Sequence, residues 1–334
     1  MISYPHRLEL AQTPTPLYLL SRLSAEVGAR IWIKRDDMTG CAISGNKVRK
    51  LEYTLAHALA EGADTIITCG GLQSNHCRAT AILGAQLGLK VHLILRGETP
   101  EDLEGNLLLD SLAGAQISVY PLSEYRHLPA LFEHWEAHYR SQGHQAFVIP
   151  TGASDGIGAW GYIHCVDEMS AQFKAHGLTP HAIVCASGSG GTQAGLTLGC
   201  SLHNLDVPVV GFAVCDDAAY FQQKIREDMT DWQERYGQEL DVNALPVHVN
   251  DQYIGPGYGR ATEEVFATIR HLAALEGIIL DPVYSGKAFY GMIKELEGGG
   301  FAPDSDLVFI HTGGLFGLFP QRQQLGLSLP TQNR

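Results

Sequence analysis

The sequence predicts an α/β fold of open, twisted, mostly parallel sheets flanked by helices. Three observations carry that expectation. Short β-branched runs alternate with segments of helical periodicity, several of the runs are apolar without interruption, and glycine-rich turns lie between a run and the helix that follows. Strands buried on both faces of a parallel sheet read as continuous apolar runs. Strand–helix alternation in turn implies right-handed crossovers.

The predicted strands are Ile31–Lys34, Thr65–Cys69, Val91–Leu95, Gln116–Tyr120, Ala146–Ile149, Ala182–Cys185, Val209–Val214 and Leu307–Ile310. Pro208 precedes one of them, where a missing N–H is tolerated. A first helix follows Asn46, a candidate N-cap, and carries Val48, Leu51, Leu55 and Leu59 as one apolar stripe. Further helices are expected from Asn75 to about Leu87, over Gly158–Phe173, after Gly190 and after Ser285. The polar tail after Pro320 reads as peripheral. No repeat or low-complexity segment interrupts the pattern.

The chain has 334 residues, of which 45% are hydrophobic. That is enough for two domains of roughly 100–200 residues each. The formal net charge of −13 argues against nucleic acid as a partner. Seven widely spaced cysteines contain no C-x-x-C pair, so no zinc ribbon, other metal site or disulfide framework is expected. Reduced thiols suit the cytoplasm. The N-terminal residues lack a basic stretch followed by an apolar run, and no long apolar segment occurs, so neither a signal peptide nor a membrane span is expected.

Five segments stand out chemically. In Ser44-Gly45-Asn46-Lys47, a flexible turn delivers Lys47 to a helix start, where the positive end of the dipole lowers its pKa. A lowered pKa suits an amine nucleophile or base; a solvated basic patch of Lys47, Arg49 and Lys50 is the alternative. Gly70–His76 joins a strand to a helix at the carboxyl end of the sheet, where α/β folds hold ligands. An ordinary cap by Ser74 or Asn75 also explains it. Ser187, Gly188, Ser189, Gly190, Gly191 and Thr192 form a glycine-rich loop before a helix, suited to a phosphate monoester. It is not a Walker loop, because no Gly-Lys-Ser/Thr follows, nor a dinucleotide fingerprint, because Gln193 occupies the position needed for the last glycine. Tyr258 in GPGYG and Tyr284 in DPVYSGKA form a weaker pair of candidates. Thr312, after the last strand, could present a hydroxyl, whereas His311 beside it reads as structural. An amine and a phosphate nest together meet the requirements of pyridoxal 5′-phosphate.

At these residues the sequence resembles the D-cysteine desulfhydrase / 1-aminocyclopropane-1-carboxylate deaminase family. The resemblance runs from Thr13-Pro14-Thr15-Pro16-Leu17 to His311-Thr312-Gly313-Gly314, through Asn46–Tyr53, Gln73–His76, Gly191–Gly195 and Asp281–Tyr284. Ser44 departs from the glycine usual there. The resemblance implies the tryptophan-synthase-β-like fold (fold type II), with two sheets. A large domain would comprise residues 1–48 plus 157–334, and a smaller inserted one residues 49–156. It implies Lys47 as the Schiff-base lysine and Lys50 near the phosphate. Ser74 would lie beside the substrate and Asn75 at the phenolic oxygen. Gly188–Thr192 would form the phosphate cradle, with Tyr258 and Tyr284 as active-site tyrosines. A homodimer is implied likewise.

The deaminase branch of the family carries Glu after the second tyrosine and Leu in the final loop. Ser285 and Thr312 stand there instead, which is similar to the desulfhydrase branch. A neutral hydroxyl does not hold a proton on the pyridine nitrogen as a carboxylate does. The weaker electron sink suffices to expel a thiolate from a small amino acid. The expected reaction is therefore α,β-elimination from D-cysteine to pyruvate, hydrogen sulfide and ammonia. Lys47, or Ser74 in a relay, would take the Cα proton. Deamination of 1-aminocyclopropane-1-carboxylate is the alternative, and elimination from cysteate or D-serine another. A non-catalytic ligand-binding α/β protein is the reading from a different class.

Overall fold

A computed structural model describes residues 2–237 and 239–328. The strands are β1 (Leu17–Leu19), β2 (Arg30–Lys34), β3 (Thr65–Gly71), β4 (Lys90–Arg96), β5 (Gln116–Tyr120), β6 (Ala146–Val148), β7 (Ala182–Ser187), β8 (Val209–Ala213), β9 (His248–Asn250) and β10 (Asp306–Ile310). They form two sheets, one ordered β1-β2-β10-β7-β8-β9 and the other β5-β4-β3-β6. Among the described residues only the β1–β2 pairing is antiparallel; β2 to β9 of the larger sheet and all of the smaller run parallel. The smaller sheet is drawn wholly from residues 65–148, and the larger from chain on either side of it.

Alternation along the strands explains why both faces are covered. In β10, Leu307 and Phe309 join the core formed with the helices Glu263–Glu276 and Ser285–Gly298. Val308 and Ile310 face the opposite way, into the core of the helices Trp160–His176 and Gly191–Leu202. Successive side chains of a strand point to opposite faces, so a strand apolar at every position serves two cores. The smaller sheet repeats this, with Ile66, Leu93 and Leu95 in one cluster and Ile67, Cys69 and Ile94 in another.

Two strands are not among those the sequence predicts. β1 and β9 are edge strands of three residues each, too short to show periodicity. The five predicted helices form as Lys47–Ala60, Asn75–Gln86, Trp160–His176, Gly191–Leu202 and Ser285–Gly298. In the first, Val48, Leu51 and Leu55 are fully buried, while Leu59 emerges at the surface. The tail after Pro320 is described only to residue 328; the rest lies outside the described residues. No described helix is long and apolar enough to cross a membrane.

Candidate active site

Strand-end loops from both sheets meet around one cavity of about 380 Å³, lined by Lys47, Ser74, Asn75, Gly188, Ser189, Gly190, Thr192, Tyr258, Tyr284 and Thr312 among others. The helices starting at Lys47, Asn75 and Gly191 each contribute first-turn residues or their caps to this lining. Three positive dipole ends therefore surround one space.

Lys47 opens its helix from a tight turn. Gly45 has φ +111°, and a Cβ there would lie 2.7 Å from the Thr312 carbonyl oxygen. That oxygen accepts from Asn46 N at 3.1 Å, so the lysine loop is closed against the loop after β10. Asn46 does not cap the helix as the sequence suggests. Its backbone is already helical and its amide donates instead to Thr192 Oγ1 at 2.9 Å. Burial lowers the Lys47 ammonium to about 8, against an opposing pull from Asp281.

Lys50, one turn on, is fully buried. Burial and then the charge of Lys47 hold its amine well below the ordinary range. Its Nζ donates to Ser154 Oγ at 3.0 Å. Ser154 Oγ also pairs with Ser189 Oγ at 2.8 Å and accepts from Gly191 N at 3.2 Å. Among the described residues no carboxylate forms an ion pair with Lys50. A buried amine among hydroxyls at a helix N-terminus, with no carboxylate in direct contact among the described residues, fits a bound phosphate. Gly190 shapes this loop: its φ is +85°, and a Cβ would press to 3.1 Å on Ile225. The residues present thus fit pyridoxal phosphate, with Lys47 for its carbonyl carbon and the 188–192 loop for its phosphate.

Not every predicted residue reaches the cavity. The Ser187 hydroxyl donates to Gln193 Oε1 at 2.9 Å and is buried behind the loop. Lys50 and the Gly191 N–H meet at Ser154 beneath the loop, away from the lining. Ser285 is also turned away. Its hydroxyl donates to Asp281 Oδ1 at 2.7 Å and it is wholly buried. Of Ser285 and Thr312, Thr312 is the one that lines the cavity.

Ser74 lines the cavity and also caps its helix, accepting from Cys77 N at 3.2 Å. That leaves its O–H proton for another partner. Asn75 Oδ1 accepts from Asn106 Nδ2 at 3.0 Å, which fixes the orientation of its amide. Cys77 is fully buried and its pKa is pushed well up by burial, then by Asp110. His311 is structural, its Nε2 meeting the Ile279 carbonyl at 3.1 Å.

The two tyrosines meet, Tyr258 Oη to Tyr284 Oη at 2.5 Å. Burial raises both pKa values, so both stay protonated at neutral pH. Asp281 sets Tyr284 by accepting from the backbone N–H groups of Val283 and Tyr284. Lys287 holds the other loop, donating to the carbonyls of Ile254 at 2.8 Å and Gly257 at 2.7 Å. Ser154, Arg96 and Lys287 are not among the candidate residues of the sequence, and Asp281 appears there only as part of a family motif. Ser154 had a signal: it follows Thr151-Gly152 in the loop after β6, another polar turn at a strand end.

Residues 8–313 match the family described as pyridoxal-phosphate dependent enzyme. The chain belongs to that family. A Thermotoga maritima protein provisionally named 1-aminocyclopropane-1-carboxylate deaminase is 46% identical, covering 96% of this chain and 99% of its own. The Arabidopsis thaliana bifunctional D-cysteine desulfhydrase/1-aminocyclopropane-1-carboxylate deaminase, mitochondrial, is 40% identical over 96% of this chain and 81% of its own. A crystal structure of an ACC deaminase homologue superposes with a TM-score of 0.88 at 39% identity, covering 96% of each chain. This enzyme therefore has the type II pyridoxal-phosphate fold expected from its sequence, and pyridoxal phosphate is its cofactor.

Proposed function

We propose that the enzyme eliminates the thiolate of D-cysteine, yielding pyruvate, hydrogen sulfide and ammonia. The observation that carries this reading is the inner wall of the cavity. Thr312 presents a hydroxyl there, and the carboxylate among the lining residues, Asp216, is exposed at the rim. When bound, pyridoxal phosphate supplies a conjugated ring that accepts the electron pair released at Cα. Without a buried carboxylate to hold a ring proton, that acceptor is weak, and a substrate with a good leaving group is favoured.

The chain's own residues take these roles. Lys47 holds the cofactor's carbonyl carbon and, once free, takes the Cα proton; its amine near 8 is partly neutral at pH 7. Ser74 sits where its hydroxyl can relay that proton. Asn75 orients the ring oxygen. The N–H groups of Gly188, Ser189, Gly190 and Thr192 hold the phosphate, with Lys50, Ser187 and Gly191 supporting the loop from behind. Tyr258 and Tyr284 are both protonated; one hydroxyl donates to the other, and the proton that remains donates toward the substrate.

This reading includes residues 49–156 as an inserted unit against 1–48 plus 157–334, a division supported by the two separate sheets. It also includes a homodimer located in the cytoplasm. Deamination of 1-aminocyclopropane-1-carboxylate is the second reading, favoured by the names of the relatives above. Purified enzyme given D-cysteine, L-cysteine and 1-aminocyclopropane-1-carboxylate distinguishes them. Sulfide and pyruvate from D-cysteine, with little 2-oxobutyrate, is the expected result; dominant 2-oxobutyrate would overturn it.

A further inference from the structure

Arg96 ends β4 and lines the same cavity. It stands beside Gly71, its register partner on β3, where the Gly71–Ser74 turn begins. Its guanidinium lies over two rings, 5.2 Å from the centroid of Tyr258 and 5.7 Å from that of Tyr125. Two rings restrict the group and leave its N–H edge for an anion. Among the described residues, Arg96 has no side-chain hydrogen bond or ion pair. Arg78, the other arginine near this wall, is fully buried, does not line the cavity, and turns its two terminal nitrogens to the Ser44 carbonyl at 2.5 Å and Asn106 Oδ1 at 2.9 Å.

The anions of the ground state have other partners. The phosphate has the 188–192 loop. The substrate carboxylate, in the elimination reading, goes to the start of the helix Asn75–Gln86, whose positive dipole end faces the cavity. One negative charge remains, and it appears only during the reaction, on the β-substituent as its bond to carbon breaks.

We propose that Arg96 receives the departing β-substituent of the amino-acid substrate, building a leaving-group site from its guanidinium on the Tyr258 and Tyr125 rings. This rests on the elimination reading above. In the step, the Cα–H bond breaks and its proton goes to Lys47. The Cβ–S bond then breaks with its electron pair going to sulfur. The thiolate is held against Arg96 until the proton taken up by Lys47 converts it to hydrogen sulfide. The three-carbon fragment takes up one water and ends as pyruvate and ammonium, with no oxidant or reductant involved. Such a site favours substrates whose leaving group departs as a basic anion, because a cation fixed in advance on a strand end stabilises charge that develops late.

The test compares holoenzymes with Arg96, Arg96→Gln and Arg96→Lys on D-cysteine and β-chloro-D-alanine. Chloride is so weak a base that it needs no cation to leave. Losing one fixed donor to a developing charge costs about 10²-fold, so kcat/KM for D-cysteine is expected to fall by about that factor in Arg96→Gln. Lysine restores part of it, and chloride release stays within about threefold, which also shows that the variant is folded. Equal losses on both substrates would assign Arg96 to the carboxylate or to folding, and no loss on either would leave it no role; both outcomes overturn the proposal alone. A wild-type enzyme that releases chloride but no sulfide overturns the desulfhydrase reading and the role of Arg96 with it.

Discussion

Asn46 and Thr192, 146 positions apart in sequence, are joined by a buried 2.9 Å hydrogen bond from the amide of one to the hydroxyl of the other. This bond locks the turn that delivers Lys47 to the loop proposed to hold the phosphate. The two halves of cofactor binding are thereby set in one rigid frame. Thr192→Val removes the acceptor and leaves a buried amide unpaired, at about 1–3 kcal/mol. Cofactor affinity of the apoenzyme, followed by absorbance titration, is expected to weaken roughly ten- to hundredfold on that basis. An unchanged affinity would mean that the loops hold their places independently.

The pKa of Lys47 predicts a pH dependence. Attachment of the cofactor requires the neutral amine, whose fraction grows as pH rises. With the ammonium lowered from 10.5 to about 8 by burial, the rate of attachment to the apoenzyme is expected to climb to a plateau with a midpoint near 8. A stopped-flow absorbance series across pH reads it directly. A midpoint near 10.5 would show that Lys47 is fully hydrated.

Arg49, two residues after Lys47, is buried and meets Asp36 Oδ1 and Oδ2 at 2.8 Å each. Glu168 joins the pair at 2.9 Å, and Lys34 reaches Glu168 in turn. Burial alone would raise the Asp36 carboxyl, but the charge of Arg49 and its hydrogen bonds outweigh that and hold it below 3.8. A depressed carboxylate contributes stability above its unfolded pKa, and the contribution is lost as pH falls through the folded value. Asp36→Ala leaves the buried Arg49 with Glu168 as its one remaining carboxylate and takes the acceptor from the Thr15 and Tyr162 hydroxyls, and is expected to cost about 3–5 kcal/mol in urea unfolding at neutral pH. The variant's stability is also expected to depend less on pH below about 4 than that of the wild type.

Lys287 ties the Tyr258 loop to the helix that begins just after Tyr284. Lys287→Met keeps much of the apolar stem and removes the three donors. The carbonyls of Val214, Ile254 and Gly257 then lose their shared partner. The expected outcome is a loss of about 1–3 kcal/mol in stability together with a fall in kcat as Tyr258 leaves Tyr284. Full kcat with lowered stability would restrict Lys287 to a structural role.

Much of this molecule was legible in the sequence because the information is local. β7 and β10 announce themselves as uninterrupted apolar runs, and the glycines after β3 and β7 mark ligand loops at strand ends. What was not legible depends on long-range placement. Asn46 looked like a helix cap because capping is the local use of an asparagine, and only the fold brings Thr192 within reach. Ser285 looked like a cofactor contact because it stands where the deaminase branch of the family carries Glu; its hydroxyl is bonded to Asp281 instead. Arg96 ends an apolar strand with nothing in the sequence to show that two tyrosines, one 29 and one 162 positions away, converge on it.

The most direct test of the account is to reduce the holoenzyme with borohydride, digest it and locate the cofactor by mass spectrometry. The account predicts that the pyridoxyl group lies on the peptide containing Lys47, and that Lys47→Ala traps none and loses at least about 10²–10⁴-fold in turnover. A label on Lys50 or Lys287, or full turnover by the Lys47→Ala enzyme, would contradict it.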